Sequence, residues 1–451
     1  MKNSRITILF PIQTVEIVFP CPSHSTSFPI IYAAHTTGIA ANQPEKKEKI
    51  KPSMIAWFIY SIGSRIYMFF KNRIKVNRKI FKKRNKKEGC IVIYNHASNQ
   101  DHFLTTIGFG LTRASYVASS HFYYNKTLRI ILNMVKAISK EQFKPDIGTI
   151  KKIKRALQQK LPITIAPAGQ TTMHGDNLRI DKSIVKLLKM CDVDVYAIQL
   201  HGAYMAYPKW RKYRRRSPIF INFVKVFTKL DLKTLSDEEI YQKTVDAINI
   251  NDRKEIKEYG YTIQAKSLVK GMEDMLYLCP KCNKMDSILS YKNSLICSNC
   301  KNTMTMNKWG KFEGIGNECV VMEDEAVWYE FEKSKFISKV KDNTLYLEGN
   351  FDLYYGVNHE YILKKVGTGK VILTNSELYY KGTMYGKEIR KDFKLANIYQ
   401  IPFETRNHFD LPDDEGYYEF KPTEKEKTTI ITKFVQAIDV IAQIRNENEY
   451  E

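Results

Sequence analysis

The chain has 451 residues, more than one ordinary hydrophobic core accommodates, so two or three domains are expected. Lys and Arg number 71 against 48 acidic residues, a formal charge of +23, which favours a polyanionic partner: an anionic membrane, phosphorylated metabolites or nucleic acid. Of eight cysteines, Cys21, Cys90, Cys191 and Cys319 are scattered while Cys279, Cys282, Cys297 and Cys300 form two tight pairs; this speaks for a metal in a reducing compartment and against a secreted disulfide framework.

Residues 1–53 carry apolar patches broken by Pro11, Pro20, Pro22 and Pro29, without the order of a signal peptide. They form an uncertain extension, either functional or the product of a mis-called start, because Met54 has the character of a natural beginning. The apolar stretch 55–70, IAWFIYSIGSRIYMFF, contains Arg65 and falls short of the roughly 20 residues that span a bilayer. Ten basic residues and no acid follow between Lys71 and Lys87. That order fits a helix lying in the headgroup layer of an anionic membrane, with Trp57, Phe58, Phe69 and Phe70 among the lipids. A buried first helix with a solvated basic tail is the alternative.

From residue 90, strand and helix alternate. CIVIY (90–94), PITIAP (162–167) and VDVYAIQL (193–200) have the character of buried strands, and residues 146–161 place Ile147, Ile150, Ile153 and Leu157 on one helical face. The pattern predicts an α/β layer with a mainly parallel sheet, whose chemistry lies beyond the carboxyl ends of its strands. NHASNQD and PAGQTT both stand there. In NHASNQD, Ser98 is placed to cap the next helix with Asp101 in its first turn, which accounts for the carboxylate without chemistry. His96 is left unexplained. A His at a strand end, with a carboxylate orienting its other ring nitrogen, meets the requirement for a general base acting on an alcohol. His102 and His121 are assigned structural or surface roles.

NHASNQD resembles the H-x4-D motif of the glycerolipid acyltransferases related to 1-acylglycerol-3-phosphate acyltransferase, and the likeness runs in order through residues of about 55–245. AIS before Lys140 is similar to the block in which a basic residue helps hold the acceptor phosphate. IAPAGQTT stands where the family has a Phe-Pro-Glu-Gly-Thr-Arg-Ser type turn, and VDVYAIQLHGAY where a final strand leads toward the acyl site. The resemblance implies acyl transfer from a thioester, on coenzyme A or acyl carrier protein, to the free hydroxyl of a lysophospholipid at the inner face of the cell membrane. It implies His96 as base, Asp101 as its orienting carboxylate, and substrate contacts at Lys140, Gly169, Thr171 and Thr172. Ala168 stands in place of the family's Glu and Thr171 in place of its Arg, while Pro167 and Gly169 remain, so the turn persists without its charges. Lys140, Arg179 and Lys182 are the cations that can substitute. A weakened, lipid-binding member of the family is the alternative.

YPKWRKYRRRSP then brings six cations between Lys209 and Arg216, suited to a phosphate-rich surface or to a plain solvated face. Ser236 followed three residues on by Glu239 predicts a capping box. CPKC (279–282) and CSNC (297–300), 14 residues apart, present four thiolates to one structural zinc ion. In so basic a chain this raises a nucleic-acid binder as the rival, disfavoured because no base-reading motif accompanies the ribbon. KGMEDMLYLCPKC resembles the junction of bacterial acyltransferase-family proteins that append such a ribbon, which implies a scaffold. Residues 320–450 alternate short strands with turns and end in an amphipathic helix with Phe434, Ile438 and Ile441 on one side. They resemble a bacterial pleckstrin-homology-like domain. Residues 401–451 carry twelve acids against six Lys and Arg, so this end is not expected to meet an anionic surface. The expected organisation is an uncertain extension (1–53), an acyltransferase-like α/β layer domain (54–245), a helical linker (246–276), a zinc ribbon (277–305) and a mostly β domain with a terminal helix (306–451).

Overall fold

The computed structural model describes residues 6–10, 13–17, 50–70, 72–140, 147–176, 178–357, 361–413 and 416–448. Met1–Glu48 and Lys49–Glu451 are separate units. The first holds an antiparallel hairpin of β1 (Ile6–Phe10) and β2 (Gln13–Ile17). What was expected of the rest of residues 1–49 lies outside the described residues.

The second unit begins with α1 (Met54–Phe69), capped by Ser53, whose hydroxyl accepts from the Ala56 N–H at 3.0 Å. Trp57, Tyr60, Ser61, Ser64 and Met68 form its buried face at helical spacing. The Trp57 indole N–H and the Ser61 hydroxyl both donate to the Gly110 carbonyl, at 3.0 and 2.8 Å. Trp57, only 1% exposed, is therefore core and not a lipid contact, which corrects the expectation for that residue. Met54, Ile55, Phe58, Ile59, Phe69 and Phe70 stay exposed, the last two by 73% and 75%. Among the described residues no helix is long and apolar enough to cross a membrane. The basic run behind α1 is built into the fold: it holds β3 (Ile74–Asn77) and α2 (Lys79–Lys82), with Phe81 buried and Arg78 donating to the Ile107 carbonyl at 3.1 Å.

Strands and helices then alternate as β4 (Cys90–Tyr94), α3 (Asp101–Phe109), β5 (Ser115–Ser119), α4 (Lys126–Met134), β6 (Ile138–Lys140), α5 (Ile147–Gln158), β7 (Pro162–Ile165), α6 (Ser183–Cys191), β8 (Val195–His201), α7 (Ala203–Ala206) and β9 (Ile219–Phe227). The sheet order is β3-β9-β8-β4-β7-β5-β6, and every neighbouring pair is parallel except β8–β9. β4 and β7 are buried along their whole length, which is why they read as unbroken apolar runs. On α5 the residues Ile153, Ala156 and Leu157 face the core, while Ile147, at the helix's first position, is exposed.

After α8 (Asp231–Thr234) comes α9 (Asp237–Ala247), which starts in the predicted capping box: the Glu239 carboxylate accepts from the Ser236 N–H at 2.8 Å. Residues 246–276 depart from a helical linker. They hold the short α10 (Ile256–Tyr259) and a 3-10 turn in otherwise irregular chain, and their apolar residues Tyr261, Ile263, Leu268 and Val269 are buried. A four-stranded antiparallel sheet follows, β10 (Ile288–Tyr291), β11 (Ser294–Cys297), β12 (Thr303–Met306) and β13 (Phe312–Gly314). Next is α11 (Glu325–Lys341), a helix the sequence analysis did not anticipate. Its signals were present: Asp324 caps it by accepting from the Ala326 and Val327 N–H groups, and Trp328, Glu332 and Phe336 fall on one buried face.

The C-terminal sheet contains β14 (Tyr346–Val357), β15 (Lys364–Thr374), β16 (Leu378–Met384), β17 (Lys387–Phe393), β18 (Phe403–Glu404), β19 (His408–Pro412) and β20 (Gly416–Pro422), antiparallel in the order β17-β16-β15-β14-β20-β19-β18. α12 (Thr429–Asn448) closes it with Phe434, Ile438 and Ile441 buried, as expected. Three apolar cores result. One joins α1 and a face of the first sheet to the ribbon and Trp328, one lies on that sheet's other face under α5 and α6, and one fills the space between the C-terminal sheet and α12.

Candidate active site and metal centre

β4 ends at Tyr94, and the six residues that follow build the site before α3 begins at Asp101. Asn95 secures the strand end: its amide donates to the Leu200 carbonyl at 3.0 Å and accepts from the Leu200 N–H at 2.8 Å, tying β4 to β8. His96 comes next, with its ring Nδ1 2.9 Å from Asp101 Oδ2. Asp101 is fully buried, and its oxygens also accept from the Ser98 N–H at 3.0 Å and the Ser98 hydroxyl at 2.6 Å. With Nδ1–H pointed at a carboxylate, the imidazole keeps Nε2 as its acceptor nitrogen. The half-buried His102 plays no such part; burial draws its pKa down to about 4 and it stays neutral.

The PAGQTT turn after β7 closes over this loop. Gly169 has φ +71° and its N–H bonds the Ala166 carbonyl at 3.0 Å; a side chain there would meet open space, so glycine is required by the backbone angle and not by crowding. The Thr172 N–H donates to the His96 carbonyl at 3.0 Å. Thr171 Oγ1 lies 3.3 and 3.4 Å from the two ring nitrogens of His96, so it touches the base itself. The Thr172 hydroxyl instead serves its own loop, donating to the Asp176 carbonyl at 2.6 Å and accepting from the Gly175 N–H at 3.1 Å. Gly175, at φ +90°, passes so near Tyr204 and Arg253 that a Cβ would come within 2.6 Å of the Tyr204 ring.

A cavity of about 350 Å³ opens beside His96, lined also by Ala168, Arg179, Tyr204, Tyr241, Val245 and Asp252. Asp252 accepts from the Gly202 and Met205 N–H groups, yet its burial pushes the carboxyl up to about 6. Of the cations named from the sequence, Arg179 reaches this cavity. Lys140 ends β6 near the sheet edge and does not line it, and Lys182 pairs with Glu238 at 3.1 Å. Thr171, Gly169 and Thr172 are gathered around His96; Lys140 is not. Asn95 was missed, although it stands inside the quoted motif, because its partner lies 105 residues away.

The four paired cysteines converge. Cys279 Sγ and Cys300 Sγ are 3.6 Å apart, Cys282 Sγ and Cys297 Sγ 3.7 Å, and all four sulfurs lie within 4.8 Å of one another. A tetrahedral ion with thiolates about 2.3 Å away sets its sulfurs about 3.8 Å apart, so the donor set fits. The two knuckles repeat one geometry: the Asn283 N–H bonds the Cys279 carbonyl at 2.9 Å and the Lys301 N–H the Cys297 carbonyl at 3.0 Å, with Asn283 and Lys301 both at positive φ. The cluster is compatible with a structural metal site.

Residues 73–201 match the Acyltransferase family. The match contains His96, Asp101 and the PAGQTT turn, and the first sheet with its helices is an acyltransferase-type α/β domain. The ribbon and the C-terminal sheet lie outside it. No curated protein matches the chain. Among solved structures, the 1-acyl-sn-glycerophosphate (LPA) acyltransferase PlsC from Thermotoga maritima is similar at 17% identity over 46% of this chain and 79% of that one, with a TM-score of 0.36. At that level the similarity decides neither fold nor substrate.

Proposed function

We propose that the chain transfers an acyl group from a thioester, on coenzyme A or acyl carrier protein, to the free hydroxyl of a lysophospholipid such as 1-acylglycerol-3-phosphate. The observation that carries this reading is the contact of 2.9 Å between His96 and a buried Asp101, with His96 opening on a cavity that Arg179 also lines. His96 Nε2 takes the hydroxyl proton as the oxygen attacks the thioester carbonyl. The carbon–sulfur bond then breaks, and the imidazolium returns its proton to the departing thiolate. Asp101 holds the ring tautomer and stabilises the imidazolium. Arg179 faces the acceptor phosphate in place of the family's missing Arg, and Thr171 packs on the base.

The exposed residues of α1, with the basic residues that follow, seat the domain peripherally on an anionic membrane surface. Cys279, Cys282, Cys297 and Cys300 hold one zinc ion, whose contribution is to fold the ribbon between the two larger domains. The C-terminal sheet with α12 is the pleckstrin-homology-like element of this reading. A radiolabelled thioester offered with a panel of lysolipids tests it: transfer by the wild-type chain and its loss in His96→Ala are expected, and no transfer to any lysolipid by folded, zinc-loaded protein would overturn it. Ala168 in the cavity wall favours a second reading, a weakened lipid-binding member of the fold; a gain of rate in Ala168→Glu would support that one.

A further inference from the structure

A second group of metal-ligating side chains lies in the C-terminal sheet, remote in sequence from the thiolates. His408 and Asp410 are two apart on β19 and so share a face, and Asp410 stands directly opposite Glu419 on β20. Both acids are buried, Asp410 to 1% exposure and Glu419 to 7%. Two carboxyl groups facing each other across a ladder and out of water are costly to ionise together unless a cation joins them. His408 Nε2 lies 3.7 Å from Asp410 Oδ2 and 3.6 Å from Glu419 Oε2, too long for hydrogen bonds. One ligand atom from each of the three falls within 4.8 Å of the others. The 3.6 and 3.7 Å separations from His408 are those of donors each about 2.1 Å from one shared ion at angles near 120°. The second carboxylate oxygen of Asp410 is buried without any hydrogen-bond partner.

The surroundings suit an ion more than a bare acid pair. Lys421 Nζ sits 3.0 Å from Glu419 Oε1, the oxygen other than the one nearest His408. Glu404 Oε2 lies 4.0 Å from His408 Nδ1, beyond hydrogen-bond reach, and that nitrogen is buried without a partner. Lys209 also approaches this corner, its ammonium 3.4 Å from the centre of the Phe403 ring.

We propose that His408, Asp410 and Glu419 bind one divalent transition-metal ion, through His408 Nε2 and one oxygen of each carboxylate, with water in the remaining positions. Imidazole with two carboxylates suits Zn²⁺ or Mn²⁺ and is unlike the all-thiolate ribbon. The ion ties β19 to β20 beside the contact with the acyltransferase domain, where the Tyr417 ring of β20 stacks on Tyr124 at 4.8 Å and Gln170 of the PAGQTT turn donates to the Ile401 carbonyl at 2.9 Å.

Equilibrium dialysis of the full-length protein against radioactive Zn²⁺ tests this. Two tightly bound equivalents per chain are expected for the wild type, one of them lost in both Asp410→Asn and His408→Gln and the other in Cys297→Ser. Near-UV circular dichroism of Asp410→Asn should match the wild type, which separates loss of a ligand from loss of fold. Mn²⁺, a hard ion poorly served by thiolates, should bind once per chain in the wild type and in Cys297→Ser, and at least tenfold more weakly in Asp410→Asn. A single zinc equivalent in the wild type with no Mn²⁺ bound would overturn the proposal, as would metal binding that survives Asp410→Asn undiminished.

Discussion

Asp101 Oδ2 accepts from the Ser98 N–H and faces the His96 ring, so one carboxylate closes a helix turn and holds an imidazole. The turn before α3 and the contact with the imidazole, which stand as alternatives in the sequence, share the residue here. The helix begins at Asp101 itself, and the Ser98 hydroxyl accepts from the Gln100 N–H at 3.2 Å instead of reaching further into the first turn. His96→Ala should lower acyl transfer by about 10² to 10⁴-fold with the melting temperature unchanged. Asp101→Asn should lower the rate too, through loss of the ring tautomer, and should also cost about 1–3 kcal/mol in denaturant unfolding because its charge-assisted hydrogen bonds from Ser98 are weakened. A role confined to the Ser98 turn would show the second effect without the first. Arg179→Gln should raise KM for a phosphate-bearing acceptor and leave kcat nearly unchanged, since the residue lines the cavity beside His96.

Within α1 the two faces make opposite forecasts. Trp57 fills the core between the helix and Gly110, and Trp57→Ala should destabilise the fold by about 3–5 kcal/mol. Phe69→Ser combined with Phe70→Ser removes side chains that touch water, so stability should hold while sedimentation with anionic vesicles falls. High salt should release the wild type only in part, because screening weakens the cationic attraction and leaves the apolar one. The ribbon is an element of another kind, too small to fold on apolar burial alone. With zinc held by the four thiolates as proposed, its stability is coupled to its ligands, and Cys297→Ser should lower zinc content and expose residues 277–305 to limited proteolysis.

Across the whole molecule, the C-terminal sheet meets the acyltransferase domain through buried and polar groups. Arg406 pairs with Asp274 and donates to the Trp210 carbonyl, and Gln170 bonds the Ile401 carbonyl. Lys209 sits in this contact with a pKa drawn down to about 7 by burial, from an ordinary 10.5. Between those two values the unfolded chain binds a proton that the folded chain has released, so this residue makes stability rise with pH through that window. Below about 7 the buried ammonium exerts its full destabilising effect. Lys209→Met should therefore flatten the rise and raise stability at neutral pH, read by chemical denaturation from pH 7 to 10 in the presence of a chelator-free buffer.

Continuous apolar runs betray β4 and β7 because both faces of a central parallel strand are covered, and that condition is visible residue by residue. The capping box at Ser236 and the two cysteine knuckles are equally local, since every partner lies within a few residues of the next. α11 escaped notice because its buried face includes Glu332, a carboxylate that belongs in a core only because it accepts from the Tyr277 and Leu278 N–H groups some 55 residues away. Trp57 and Phe69 are equally apolar in the chain; only the position of the Gly110 carbonyl and the packing of α3 decide which of them is core. Among three candidate cations, the crossing of the chain over the sheet brings Arg179 to the cavity and leaves Lys140 off it. The H-x4-D pair could be found by spacing because a turn five residues long closes on itself. What surrounds it, Asn95 on Leu200, Thr171 on His96 and Ile401 over Gln170, rests on contacts between distant segments, and such contacts exist only once the cores have formed.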